Sequence, residues 1–296
     1  MFNSKTCNIM ASTAFSLAKA IVAVHSKQER FQSILLGPSV SDSRGIRICS
    51  SIKQVEKQSQ KRQANCKLVM MMTMENKTFR NKPRILCIHS FRTSAAIFQK
   101  MIERWPVTVL EKLQLHFLDG PFLARGKSDV ELLFDPPYYE WYQSSEDFKV
   151  YEDFEECVAY IEEYMLKYGP FDGLLGFSQG AFITAAVPGM QAQGVAFTKV
   201  PKIRFLILIS GAKFGGYKFG QPKLAGSAYS SPIDCPSLHI IGEKDFMKPG
   251  GIDLLGSFVD PVVIHHPKGH IIPRLDDISL KTMLSFIEKM ELRPSL

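Results

Sequence analysis

The chain has 296 residues, enough for one large domain or two small ones, and at 45% hydrophobic it can bury a sizeable core. Its formal charge of +7 is uneven: residues 1–73 carry 11 Lys and Arg against 3 Asp and Glu, and the remainder carries 25 against 26. The near-neutral body offers no electrostatic footprint for nucleic acid, and six cysteines without a C-x-x-C pair or a zinc-type cluster fit reduced thiols inside a cell.

Residues 1–80 form the first region, rich in Ser, Lys, Arg and Gln and without sustained periodicity. Its most apolar stretch, "MASTAFSLAKAIVAVHSK", is broken by Lys19 and is too short to span a bilayer. A basic, Ser-rich, acid-poor leader has the composition of an organelle transit peptide. A disordered extension fits the same composition, as does translation beginning at "MMMTMENK". The expected organisation is an extension over 1–80 and one folded domain over 81–296. The expected location is intracellular: the cytoplasm, or a chloroplast or mitochondrion if the leader acts in import.

From Arg84 onward, short apolar runs alternate with longer helical ones. "RILCI" (84–88) has strand length, and "SAAIFQKMIERW" (94–105) has apolar residues at helical spacing and closes before Pro106. "LQLHFL" (113–118) alternates like a strand and ends in the turn "DGP". A long insertion, "DGPFLARGKSDVELLFDPPYYEWYQSSEDF" (119–148), follows; its aromatics Tyr138, Tyr139, Trp141 and Tyr142 either line an apolar substrate pocket or pack the loop down. "YEDFEECVAYIEEYMLKYG" (151–169) is an amphipathic helix stopped by glycine. "FDGLLGF" is a strand and "QGAFITAAVPGMQAQG" a helix, with Ser178 between them. The strands "IRFLILIS" (203–210), "PSLHIIG" (236–242) and "PVVIHH" (261–266) come next, and "DDISLKTMLSFIEKM" is the last helix. Six strands separated by helices predict an α/β fold with a mostly parallel six-stranded sheet covered on both faces. No P-loop, G-x-G-x-x-G or H-E-x-x-H motif is present.

Ligands of such sheets bind beyond the carboxyl ends of the strands, and the chemically able residues all fall there. Ser178 sits in G-x-S-x-G at a strand–turn–helix junction, the context of a nucleophile elbow. The turn forces close backbone approach, so Gly176 and Gly180 remove β-carbons that would clash. Asp245 in "HIIGEKDF" just follows a strand and is the expected acid; Asp234 precedes its strand, and Asp253 reads as helical. Among His265, His266 and His270, the last lies in a loop after Gly269, free to turn back over the serine, and is the expected base. An oxyanion hole would use the backbone N–H groups of Phe91, in the loop "CIHSFRTS", and of Gln179, which opens the helix. His89 reads better as a structural histidine pinning that loop than as a catalytic one.

These residues, with "ILCIHSFRTSAAIF", "LDGPF", "GFSQGAF", "LILISG", "IIGEKD" and "KGH" in this order over about 83–288, resemble the FSH-type serine hydrolases, a branch of the α/β-hydrolases. The resemblance implies an α/β-hydrolase fold and an esterase or thioesterase using Ser178, Asp245 and His270, with a small acyl ester or thioester substrate and no metal or organic cofactor. One departure stands out. The family usually has His-Gly-Phe in the oxyanion loop, and Ser90 replaces the glycine, which predicts strained angles at Ser90. Two alternative functions share the same triad: a low-turnover receptor or binding protein, and a lyase or cyclase recruited to specialised metabolism.

Overall fold

A computed structural model describes residues 82–292 of the protein. The N-terminal extension expected over 1–80 lies outside these residues. Strand β1 (Arg84–Ile88) is followed by α1 (Ala95–Ile102), a short helix α2 (Val107–Leu110) and β2 (Gln114–Leu118). The 119–148 insertion holds β3 (Phe122–Leu123), β4 (Tyr139–Glu140) and β5 (Gln143–Ser144). Then come β6 (Tyr151–Glu152), α3 (Phe154–Tyr168), β7 (Gly173–Phe177), α4 (Gln179–Ala192) and β8 (Phe205–Ile209). The chain closes with β9 (Ser237–Gly242), α5 (Lys248–Leu255), β10 (Val262–His266) and α6 (Asp277–Leu292).

Six strands form one sheet in the order β10-β9-β8-β7-β1-β2, with every neighbouring pair parallel. The expected six-stranded sheet is therefore present. Its inner strands β1, β7, β8 and β9 are buried on both faces and read as apolar runs, with alternate residues going to opposite cores. Leu86, Ile88, Leu174, Leu206 and Leu208 face one core with α3 and α4. Ile85, Cys87, Leu175, Ile207 and Ile209 face the other with α1 and α6. Helices on both faces complete a three-layer α/β-hydrolase architecture.

Chain direction across the sheet reverses between β1 and β7: the chain passes from β1 outward to β2, returns to β7 on β1's other side, and continues away through β8, β9 and β10. A crevice opens beyond the strand ends at such a switch point. The loop after β1 and the turn after β7 meet there.

The ends of elements show where local sequence acts. Ser94, the N-cap of α1, accepts from the Ile97 N–H at 3.2 Å, so the helix starts one residue later than the periodicity indicates. The amphipathic run at 151–169 is shorter as a helix than expected, because Tyr151 and Glu152 pair with Gln143 and Ser144 in a two-stranded ribbon.

Candidate active site

The turn between β7 and α4 is sharp. Ser178 has φ 53° and ψ −116°, a conformation costly for a non-glycine residue. Its backbone is held in place: its N–H donates to Ile209 O at 3.0 Å, and its carbonyl accepts from Ala181 and Phe182. The glycines on either side are required by close approach. A Cβ on Gly176 would lie 2.5 Å from Gly180 O, and one on Gly180 would lie 2.1 Å from Ile88 O. The elbow is thus pressed against the end of β1.

Three of the expected residues come together at this turn. His270 Nε2 lies 2.8 Å from Ser178 Oγ, and His270 Nδ1 lies 2.8 Å from Asp245 Oδ1. The Asp245 side chain is 1% exposed and that of His270 20%. Asp245 Oδ1 also accepts from the Met247 N–H at 2.8 Å. Burial works against charge on Asp245, but hydrogen bonding to His270, Ser210 and the Met247 N–H outweighs it and lowers the pKa. Oδ2 and the Ser210 hydroxyl are both buried without a hydrogen bond of normal geometry, yet the hydroxyl is near enough to favour the carboxylate. Two phenylalanines flank the imidazole: the Phe177 ring at 5.2 Å and the Phe246 ring, 72% exposed, at 4.5 Å.

None of the rival residues joins this chain of hydrogen bonds. His265 pairs with Glu243 at 2.8 Å on the surface, and His266 is buried with both ring nitrogens unpartnered. Asp253, on α5, pairs with Lys213 and accepts from the Tyr217 N–H. Asp234 is exposed ahead of β9.

Gln179 is the first residue of α4, so its N–H has no acceptor within the helix. Its buried side chain spans to the insertion: Oε1 accepts from the Trp141 N–H at 3.2 Å, and Nε2 donates to Tyr142 O at 2.9 Å. Phe91 lies in the turn after β1, 38% exposed, with the Arg92 guanidinium 4.6 Å over its ring. The strain expected at Ser90 is not there. Arg92 carries the loop's positive φ, 50°, and Ser90 is absent from the positive-φ residues, so it occupies backbone space open to any residue. Arg92 is held in its conformation by contacts that no local pattern announces. Its Nε donates to the buried Glu140 carboxylate at 2.6 Å, and its carbonyl accepts from Ser128 Oγ at 2.6 Å.

Of the four aromatics that could either line a pocket or pack the insertion down, two pack it down. Trp141 is fully buried and its indole N–H donates to His89 O at 2.9 Å. Tyr142 is buried among Tyr151, Phe154 and Phe214. Pairing of β3 with β4 folds the insertion onto the end of β1, and burying these large rings secures it. Tyr138 and Tyr139 stay half-buried, with the Tyr138 hydroxyl donating to Phe134 O within its own loop. His89 is fully buried and in the loop-pinning position expected of it; burial lowers its pKa to about 4.

Among the described residues no group of three or more His, Cys, Asp or Glu side chains could hold a metal ion. No described helix is long and apolar enough to cross a membrane.

Comparison with known proteins places these features in a family. The model for the family described as serine hydrolase (FSH1) matches residues 74–282. The chain is 29% identical over 213 residues to a dihydrofolate reductase of Schizosaccharomyces pombe, matching 66% of this chain and 45% of that protein. It is 30% identical over 232 residues to rhodanese-like domain-containing protein 6 of Arabidopsis thaliana, matching 66% of this chain and 37% of that one. The chain therefore spans less than half the length of these two relatives. Esterase OVCA2 of Bos taurus is 31% identical over 209 residues, which make up 64% of this chain and 89% of that esterase.

Proposed function

The chain belongs to the FSH1 serine hydrolase family, and from that premise we propose that it is an ester-hydrolysing enzyme that cleaves carboxylic esters or thioesters through an acyl-enzyme on Ser178. The observation that carries this reading is the unbroken hydrogen-bonded chain from Ser178 Oγ through the His270 ring to the buried Asp245 carboxylate. In the first half-reaction Ser178 Oγ attacks the substrate carbonyl carbon while His270 Nε2 accepts its proton. Asp245 holds the ring through Nδ1–H and stabilises the imidazolium. The negative oxygen of the tetrahedral intermediate rests against the N–H groups of Phe91 and Gln179. On collapse, the bond to the alcohol or thiol breaks and the leaving group takes the proton from His270. In the second half-reaction, water gives its proton to His270 and attacks the acyl carbon, Ser178 departs with that proton, and the acid is released.

An apolar acyl or aryl group suits the surroundings, because Phe246 presents an exposed aromatic ring beside His270. No organic cofactor or metal takes part in these steps.

Labelling with a fluorophosphonate probe tests the nucleophile directly. The wild type should be modified at Ser178, and Ser178→Ala should be neither modified nor active while melting normally. Folded wild-type protein that resists the probe would overturn the proposal. His270→Ala should be as inactive as Ser178→Ala, whereas His266→Ala should retain turnover; the reverse pattern would move the base to His266.

A further inference from the structure

The N–H of Phe91 belongs to the same peptide unit as the carbonyl of Ser90. In a trans peptide the C=O and N–H point in opposite directions, so whatever holds the oxygen also aims the N–H. Ser90 O is held by two buried side chains. Thr93 Oγ donates to it at 2.8 Å, and His89 Nδ1 lies 2.7 Å from it. The histidine's role follows from its other nitrogen. Nε2 lies 2.9 Å from the Gly120 nitrogen, an N–H that can only donate, so Nε2 is the acceptor and the proton sits on Nδ1. His89 therefore donates to Ser90 O.

The ring has no freedom to turn. It is fully buried, the indole of Trp141 lies 4.8 Å away, and the indole N–H fixes the His89 carbonyl. The Tyr139 N–H fixes the Thr93 carbonyl at 2.6 Å. Among the described residues, the Phe91 N–H itself donates no backbone hydrogen bond. The elbow lies next to this loop, since Gly180 abuts the carbonyls of Ile88 and His89.

We propose that His89 and Thr93 are positioning residues that together aim the Ser90–Phe91 peptide N–H at the developing oxyanion, and that the 119–148 insertion braces them through Gly120, Tyr139 and Trp141. The inference rests on the acyl-enzyme reading above. Two donors on one carbonyl also polarise the amide, which strengthens its N–H as a donor. The tethered oxygen, and not the residue type at position 90, then sets the peptide's direction, so a serine serves there.

The test reads transition-state binding apart from substrate binding. Loss of one complete oxyanion donor costs on the order of 10²–10³ in kcat, so loosening one of two tethers should cost about tenfold. Thr93→Val, of nearly the same shape but without the donor, should lower kcat about tenfold with KM changed less than about twofold. Its affinity for a trifluoromethyl ketone, which forms a tetrahedral oxyanion on serine, should fall by the same factor as kcat/KM. Thr93→Ser, which keeps the hydroxyl, should restore both. In a second pair, His89→Asn keeps an N–H near the Nδ1 position and should lose less kcat than His89→Leu. If Thr93→Val matches a wild type that turns over ester and binds the ketone, or if His89→Asn and His89→Leu lose equally, the positioning role falls and the Ser178 reading stands. If the wild type neither turns over ester nor binds the ketone, both fall.

Discussion

Asp245→Asn removes a charge while keeping the shape of the side chain, and the surroundings of Asp245 decide how the amide will sit. Oδ1 accepts from both the Met247 N–H and His270 Nδ1. The Met247 N–H can only donate, so an asparagine should leave its carbonyl oxygen at the Oδ1 position. Its NH₂ then takes the place of Oδ2, which is buried without a hydrogen bond, and the Ser210 hydroxyl, near enough to favour the carboxylate, is a group able to accept from it. In that arrangement His270 keeps its working tautomer, and what is lost is the charge opposite the imidazolium. Two unit charges about 4 Å apart at an effective dielectric of about 20 interact by about 4 kcal/mol. At 1.36 kcal/mol per factor of ten, kcat should fall about 10³-fold. This is less than the roughly 10⁴-fold loss seen where an asparagine forces the wrong tautomer. Adding Ser210→Ala removes the acceptor for the NH₂ and should deepen the loss in the double variant beyond the product of the singles. Steady-state hydrolysis of a chromogenic acyl ester, with thermal melts on each variant, measures both effects. A loss below tenfold for Asp245→Asn, or strict additivity with Ser210→Ala, would refute the reasoning.

Gly180→Ala places a Cβ 2.1 Å from Ile88 O and 2.6 Å from His89 O, both backbone atoms that cannot swing away. It should destabilise the fold by about 3 kcal/mol. For a domain of this size that lowers Tm by roughly 6–12 °C, and an unchanged melt would show that the elbow is not pressed on β1. Stability should rise with pH between about 4 and about 6.5. Burial lowers His89 to about 4 and His239 to about 3, so over that range the unfolded chain binds protons that the folded one does not. The His89 contribution is on the order of 3 kcal/mol, fully present above about pH 6.5 and lost as pH falls through about 4. Asp245, with its lowered pKa, adds a further loss below the ordinary carboxylate range. Urea midpoints at pH 7 and pH 5 check this, and equal midpoints would contradict it. Deletion of residues 1–73, which carry the chain's net positive charge, should leave a folded, active enzyme, read by melt and ester turnover. Fused to a fluorescent reporter, the same segment tests the import alternative: delivery to a chloroplast or mitochondrion would support it, and a diffuse cytosolic signal would remove it.

The sheet was legible because buried parallel strands have no polar face to hide. "RILCI", "GLLGF" and "FLILI" each supply alternate residues to two opposed cores, so they read as unbroken apolar runs bounded by turns. The elbow was legible for a related reason: both glycines of G-x-S-x-G stand where a Cβ would meet backbone, a local demand that leaves a local mark. Asp245 and His270 were found by their place after strand ends, the geometry that parallel sheets impose on any residue meant to reach the switch point.

The insertion obeys different physics, and there the sequence reading left its alternatives open. Its strands β3, β4 and β5 have two residues each, too short for any period to show. What secures the loop after β1 is largely backbone: the N–H groups of Gly120 and Tyr139 and the carbonyls of His89, Ser90 and Arg92. Every residue carries those groups, so their use leaves no signature in residue type. The side chains that do take part are displaced in sequence from their partners, as Arg92 is from Glu140 and Gln179 from the backbone of Trp141 and Tyr142. The same fact explains the error at Ser90. Strain was expected where the residue type departed from the family's pattern, but a conformation is set by the groups that hold the peptide. In this loop they place the positive φ two residues later, at Arg92, whose guanidinium is anchored to a buried carboxylate and whose carbonyl is anchored to Ser128. A non-glycine residue persists in that conformation when its surroundings over-determine it. The departure from pattern at position 90 is therefore silent in geometry, and the residues that bear the loop's cost are Arg92 and Glu140.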